Sequence, residues 1–251
     1  MENQSAIKNN FGSKAINYRL SSTHSNLIDL ERMIDFLKPK PDDMVLDVAT
    51  GAGHTAVAFA RNKCSVVAID ITKEMILEAK KTLLHSNVYG VEFLEADVHR
   101  LPFKDETFDI VACRFAAHHF YNIQKALQEM CRVLKPKAKL YVLDCSVIDG
   151  EEIERQINRL EVLRDNSHVC SYSKRQWIDL LKSLPVKIDY INLIKTQYKL
   201  PEWFDRMGTS ADNRQKIFEL LNNLSKDSKT FYQFNETFID SYYIEIIAKK
   251  I

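Results

Sequence analysis

One stretch near the N-terminal end limits what this chain can fold into. Met44-Val45-Leu46-Asp47-Val48 reads as an apolar strand, Ala49-Thr50-Gly51-Ala52-Gly53 breaks it, and a helix is predicted over His54 to Arg61. Two glycines between a strand and a helix let backbone N–H groups come close to a ligand. Asp47 is a carboxylate inside an otherwise apolar strand, where an unpaired charge is costly. A buried acid ahead of a glycine turn suits a cationic or donor-rich ligand and would repel a bare pyrophosphate. Gly51-x-Gly53-x-x-Ala56 also satisfies the loose dinucleotide fingerprint. The turn by itself therefore leaves open a nicotinamide-dependent oxidoreductase, or a strand–turn–helix corner with no ligand.

The following segments repeat the theme. Before the turn, Leu27, Leu30, Ile34 and Leu37 fall at helical spacing, and Pro39 and Pro41 end that helix. After it, Ser65 to Ile71 is a short strand without polar alternation, as in a sheet covered on both faces. That strand ends at Asp70, about 20 residues past the turn, where an acid can accept hydrogen bonds from ribose hydroxyls. Thr72 is a predicted N-cap for a helix through Leu84, with Met75 in its first turn. Val91 to Leu94 is a third strand, followed by Glu95-Ala96-Asp97-Val98. Phe108 to Cys113 is a fourth, followed by Arg114 and then His118-His119-Phe120. Asn122 caps a helix, and Leu140 to Leu143 is a fifth strand ending at Asp144.

Strand and helix alternate strictly to this point, which predicts an α/β, doubly wound, mostly parallel sheet. Ligands bind such sheets beyond the carboxyl ends of the strands. Asp70, Asp97, Arg114 and Asp144 are expected at that edge, with Asp47 in the first strand. The remainder departs from alternation. A helix over 150–164, a capping box at Ser173-x-x-Gln176, a strand after Pro185, a helical insert over 201–224 and a last strand from Phe238 to Lys249 predict an antiparallel edge hairpin with helical lids. The expected whole is one domain over 1–251 with a seven-stranded Rossmann-like sheet, an N-terminal arm at 1–24 and lid inserts at 145–170 and 200–235.

Composition removes several classes of function. With Lys plus Arg 35 and Asp plus Glu 34, the net charge of +1 gives no reason to expect nucleic acid or an anionic membrane as partner. No apolar run approaches membrane-spanning length. The polar start, MENQSAIKNN, does not read as a signal peptide. Five cysteines without a CxxC spacing read as reduced thiols, so a cytoplasmic location is expected and no metal site is.

Taken together, the motifs resemble those of the class I S-adenosylmethionine-dependent methyltransferases. The likeness extends over about residues 10–250. It is carried by Val45 to Gly53, by Val67-Ala68-Ile69-Asp70-Ile71, by Glu95 to Val98 with Leu101-Pro102-Phe103, by Cys113-Arg114 through Phe120, and by Arg132-Val133-Leu134-Lys135-Pro136. The chain is most similar to the small-molecule branch that includes the quinone-biosynthesis methyltransferases. Two positions depart from the family pattern: Ala49 replaces the first glycine of the first motif, and Lys137-Ala138 replaces a Gly-Gly pair. The Asn/Asp-Pro-Pro-aromatic motif of amino-group methylation is absent after the fourth strand, which argues against nucleic-acid or protein methylation of that type.

The resemblance implies S-adenosylmethionine as cofactor and assigns roles. Asp47, with Ala49, Gly51 and Gly53, would surround its methionine end. Asp70 would hold the ribose, with Ile71 and Met75 against adenine. Asp97 and the Val98 N–H would meet the adenine edge. Arg114 would help place the amino group, and Phe11 and Tyr18 would close the arm over the site. Methyl transfer needs alignment first and a general base only if the acceptor must lose a proton. His118 and His119 lie where the acceptor is expected and are candidates for that base, with one of them able to pack under the loop instead. His119 and His168 are candidates for holding the acceptor. The acceptor is expected to be a small molecule methylated on oxygen or carbon, and the aromatic content of the inserts, Trp203 and Phe204 included, favours an aromatic or hydrophobic one. A non-catalytic cofactor-binding protein remains the alternative, with an oxidoreductase behind it.

Overall fold

The computed structural model describes residues 25–251 together with Ala15, Ile16 and Arg19. Phe11 and Tyr18 lie outside the described residues. Helix α1 (Leu27–Leu37) starts where Asn26 Oδ1 accepts the Ile28 N–H at 3.0 Å. It stops at Lys38, which takes a left-handed φ of 46° and returns its N–H to the Ile34 carbonyl. The prolines lie beyond the stop.

Strand β1 (Met44–Val48), helix α2 (His54–Arg61), β2 (Ser65–Asp70), α3 (Lys73–His85), β3 (Val91–Glu95) and β4 (Phe108–Arg114) alternate as the apolar pattern predicts. Helix α4 (Ile123–Val133) is capped by Asn122, whose side chain accepts the Lys125 N–H. It passes directly into β5 (Leu134–Val147). Lys137 turns that entry at a left-handed φ of 65°. Past β5 come α5 (Glu151–Arg164), the two-residue β6 (Tyr172–Ser173), α6 (Lys174–Lys182) with the Ser173–Gln176 capping box, and β7 (Val186–Lys199). Three helices follow, α7 (Leu200–Met207), α8 (Ala211–Asn222) and α9 (Lys226–Phe231), before β8 (Phe238–Lys250).

The sheet order is β3-β2-β1-β4-β5-β8-β7, with β6 paired to the end of β5. Strands β1 to β5 run parallel, and β8 lies antiparallel between β5 and β7. Successive side chains of β1 point to opposite faces. Val45 joins the layer of Met33, Leu37 and Phe59, while Leu46 and Val48 join that of Leu127, Met130 and Trp177. Each such fully buried side chain contributes roughly 1.5–3 kcal/mol. Two sequence expectations change. Strand β5 continues past Asp144, which is therefore interior and 1% exposed. Trp203 and Phe204 do not shape an acceptor pocket; they are buried with Ile217, Leu221 and Tyr232 in the layer that covers α5. Among the described residues, no helix is long and apolar enough to cross a membrane.

Candidate functional site

Beyond the carboxyl ends of β1 to β4 lies a cavity of about 930 Å³, its open mouth included. The turn after β1 forms one wall. Thr50 ties this turn to β2 through its N–H and the Ile69 carbonyl, at 2.8 Å. Gly51 faces the cavity at φ 53°, with nothing within 4 Å of the space a side chain would take. Its N–H donates to Asp70 Oδ2 at 2.9 Å, and the Thr72 N–H donates to Asp70 Oδ1 at 2.9 Å. Thr72 occupies the N-cap of α3, but its own side chain makes no capping bond. Burial raises the pKa of Asp70, while those two N–H groups pull it back.

Asp47 and Gly53 stand behind this lining and are not part of it. Asp47 is 1% exposed and sits behind the turn, where it accepts the Thr50 hydroxyl at 2.6 Å and the Ala56 N–H. Burial pushes its pKa up to about 7 against those bonds and the nearby Arg114. Gly53, at φ 84°, faces α3: a Cβ there would stand 2.9 Å from that of Ala79. The glycine lets two helices approach. Ala49 does line the cavity, and does so at φ 53°, a conformation that costs a non-glycine residue about 1–2 kcal/mol.

The lining also includes Ile71 and Met75 from the β2–α3 corner and Asp97 and Val98 from the segment after β3. Asp97 is more engaged than its position in the sequence suggests. His99 accepts the Asn122 N–H on Nε2, so its Nδ1 carries the proton and donates to Asp97 Oδ1 at 2.6 Å. The Tyr121 hydroxyl reaches Oδ2 at 3.3 Å, and its ring stacks on His99 with centroids 3.6 Å apart. Burial alone would raise Asp97, but the backbone and ring of His99 hold it below the usual carboxylate range. His99 and Tyr121 both line the cavity, and sequence reasoning missed both. His99 had a signal, its place two residues after an acid at a strand end. Tyr121 had none, because only the turn after β4 brings it there.

The inner end is built by β4. The Arg114 side chain is buried, donates Nε–H to Thr55 Oγ1 at 3.1 Å, and lies 4.9 Å over the Phe115 ring. Phe115 holds a left-handed φ of 55°, its N–H bonded to the Leu143 carbonyl and its ring edge-on to Tyr243. A bulky residue in that region stores on the order of 1–3 kcal/mol of strain, here at the cavity wall. His54 also lines the cavity, from the first turn of α2.

The histidines separate. His119 lines the cavity and His118 does not. His118 is fastened to Asp144, its backbone N–H to Oδ2 at 2.7 Å and its Nδ1 to Oδ1 at 2.6 Å. Burial opposes charge on His118, but Asp144 prevails and raises its pKa. Burial and the adjacent His118 push His119 down to about 4. His168 is outside the cavity wall as well, held by Asn158 at 2.9 Å, and burial keeps its pKa well below the ordinary value. The loop carrying it docks on the β4 turn through the Val169 and Cys170 N–H groups, both donated to the His118 carbonyl.

Comparison with known proteins agrees with this architecture. A family model described as a methyltransferase domain matches residues 46–142. The uncharacterized methyltransferase YcgJ of Bacillus subtilis is 32% identical over 219 residues, covering 87% of this chain and 87% of that protein. Its crystal structure superposes with a TM-score of 0.81 over 91% of this chain and 98% of that one. A candidate methyltransferase of Bacillus halodurans, 29% identical, gives a TM-score of 0.84 over 88% of this chain and 98% of its own. The ubiquinone/menaquinone biosynthesis C-methyltransferase UbiE of Rickettsia massiliae is 33% identical over 156 residues, 58% of this chain and 62% of that protein.

Proposed function

The chain belongs to the S-adenosylmethionine-dependent methyltransferases, and on that basis we propose that it methylates an oxygen or carbon atom of a small-molecule acceptor in this cavity. One observation carries the reading. One cavity is lined by a glycine turn and two strand-end carboxylates, Gly51, Asp70 and Asp97, together with an imidazole, His119.

The lining fits the cofactor. Asp70 has oxygens with lone pairs left for ribose hydroxyls after its two backbone bonds. Ile71, Met75 and Val98 offer apolar surface to adenine, and Asp97 an acceptor to its amino group. Ala49 and Gly51 meet the methionine end, with Arg114 beside them. Asp47 supports that wall from behind. The cofactor brings the methyl group and a sulfonium leaving group. What the protein adds is alignment and exclusion of water, with His119 as the group at the acceptor. His118 and His168 support the wall that His119 belongs to. The likeness to UbiE, named as a quinone-biosynthesis C-methyltransferase, supports an aromatic acceptor, as do the rings of Phe115 and Phe120 in the lining.

The test is a melting-shift panel with S-adenosylhomocysteine and NAD, followed by an acceptor screen of phenols, quinols and small amines. A ligand at 100 times its dissociation constant stabilises by roughly 2.7 kcal/mol. A shift with S-adenosylhomocysteine and none with NAD is expected. A shift with NAD alone overturns the reading.

A further inference from the structure

Behind His119 lies a buried layer of ionisable groups that cofactor binding does not use. Ring centroids of His118 and His119 are 4.0 Å apart, those of His118 and His168 5.5 Å. Asp144 and Asp165 are 1% and 2% exposed. The hydrogen bonds assign the protons. His119 Nδ1 lies 3.1 Å from the Ser167 carbonyl, which can only accept, so Nδ1 carries the proton and Nε2 is the basic nitrogen. His168 is turned the other way. Asn158 gives its amide protons to the Glu154 and Ser171 carbonyls, so its Oδ1 receives the His168 Nε2–H.

The two carboxylates are placed differently. Asp144 is occupied with His118, and its Oδ1 also accepts the Cys145 N–H at 2.8 Å. Asp165 uses Oδ1 for the Ser167 N–H and hydroxyl, at 2.9 and 2.5 Å. Its Oδ2 stands 3.9 Å from His119 Nε2, the nitrogen that a proton would reach.

We propose that Asp165 is a positioning residue for methyl transfer, receiving as an ion pair the imidazolium that forms when His119 takes a proton from the acceptor. This rests on the methyltransferase reading and narrows the acceptor to a group with a proton to lose, a hydroxyl or an activated C–H. The charges balance. The acceptor's proton goes to Nε2, and the electron pair of its broken bond forms the new bond to the methyl carbon. The C–S pair leaves with the sulfur. One positive charge thus moves from the sulfonium to His119, where a buried carboxylate already waits. The groups that face His119 are His118, Asp144, Asp165 and the Ser167 carbonyl, with His168, Glu161 and Arg164 behind them. Burial and His118 outweigh Asp165, the Ser167 carbonyl and Asp144, which favour the charge, and the resting ring stays neutral, the form a base requires.

The test needs no acceptor to begin. Long-range ¹H–¹⁵N spectra of the ¹⁵N-histidine-labelled chain, saturated with S-adenosylhomocysteine, are recorded from pH 7.5 to 4, and the His119 signal is identified by its loss in His119→Gln. At pH 7.5 the expected ring is protonated on Nδ1, and it begins to charge near the acid end. In Asp165→Asn, which can still accept from Ser167, that onset of charging should disappear from the range, because the carboxylate that favours the charged ring is gone. In Asp144→Asn, His118 should move further than His119. A ring protonated on Nε2, or an unchanged onset in Asp165→Asn, overturns the proposal whether or not an acceptor is found. With a phenol or quinol from the screen, Asp165→Asn should lower kcat by about 10²–10⁴-fold with S-adenosylhomocysteine affinity unchanged, and Asp165→Glu should recover part of it. Loss of S-adenosylhomocysteine binding by the unmodified chain would count against the underlying reading instead.

Discussion

The Gly51 N–H donates to Asp70 Oδ2 at 2.9 Å, so the turn after β1 and the end of β2 are one unit. The same carboxylate accepts the Thr72 N–H and lines the cavity. Asp70→Ala therefore removes the ribose acceptor and loosens the wall beside it. Charge-assisted hydrogen bonds of this kind are worth on the order of 1.5–3 kcal/mol, so S-adenosylhomocysteine affinity should fall by one to two orders of magnitude in calorimetry. Asp70→Asn, which keeps one acceptor oxygen, should fall between. Unchanged affinity in Asp70→Ala would remove Asp70 from the site.

Asp47 makes the fold depend on pH. Its folded pKa of about 7 lies above its ordinary value of 3.8, because burial disfavours the charge. The folded state therefore holds this proton more tightly than the unfolded one. The stability it contributes is present below 3.8 and is lost as pH rises through about 7. Asp47→Asn still accepts the Thr50 hydroxyl and never ionises. Urea midpoints should show the variant gaining on the parent from pH 5 to 8, by a few kcal/mol in order of magnitude. A gap that stays constant with pH would contradict the assignment.

His119 acts with the opposite sign across an overlapping window. Its folded pKa of about 4 lies below the ordinary 6.5, with burial the main cause and His118 the second. The stability tied to the neutral ring is present above 6.5 and is lost as pH falls towards 4. His119→Gln should flatten the acid side of the stability profile and leave the alkaline side as it was. The same urea series measures both effects.

Gly53 and Ala49 should respond in opposite directions. Gly53→Ala puts a methyl 2.9 Å from the Ala79 Cβ and strains a φ of 84°, so a loss of at least 1–3 kcal/mol is expected. Adding Ala79→Gly should recover only the Cβ contact and none of the strain, since the Ala79 Cα and carbonyl oxygen stay 3.1 and 3.3 Å from the added methyl and a glycine inside α3 itself costs roughly 0.5–1 kcal/mol. Full recovery would mean that the left-handed conformation carries no cost.

Ala49→Gly relieves a φ of 53° at a position that faces the cavity. Against the glycine's greater freedom when unfolded, a net gain of about 0.5–1 kcal/mol is expected, or roughly 1–4 °C in Tm for a chain of this size. Calorimetric melting of the two proteins checks it, and a lower Tm would contradict it.

The sequence by itself determined the alternating β–α order, the turn after β1, and the strand-end positions of Asp70, Asp97 and Arg114. These are local properties: apolar runs, glycines between them, and polar residues at or just past the end of a strand. What only the tertiary structure decided is which way the neighbouring side chains point and what they meet. Asp47 is in β1 as the pattern requires, but Thr50 and Ala56 close over it and keep it behind the cavity wall. Gly53 reads in sequence as one of two turn glycines, and only the fold shows that Ala79, from another helix, occupies the space its side chain would take. His118 and His119 are adjacent and chemically identical in sequence. Asp144 draws one away from the cavity, and Ser167 and Asp165, more than 40 residues further along, set the proton on the other. Trp203 and Phe204 carry the same ambiguity, since an aromatic pair in an insert can face a ligand or a core, and here the packing of α5 and α8 buries it. Periodicity along the chain specifies an element and its buried face, whereas a site depends on partners that only folding brings within hydrogen-bond distance.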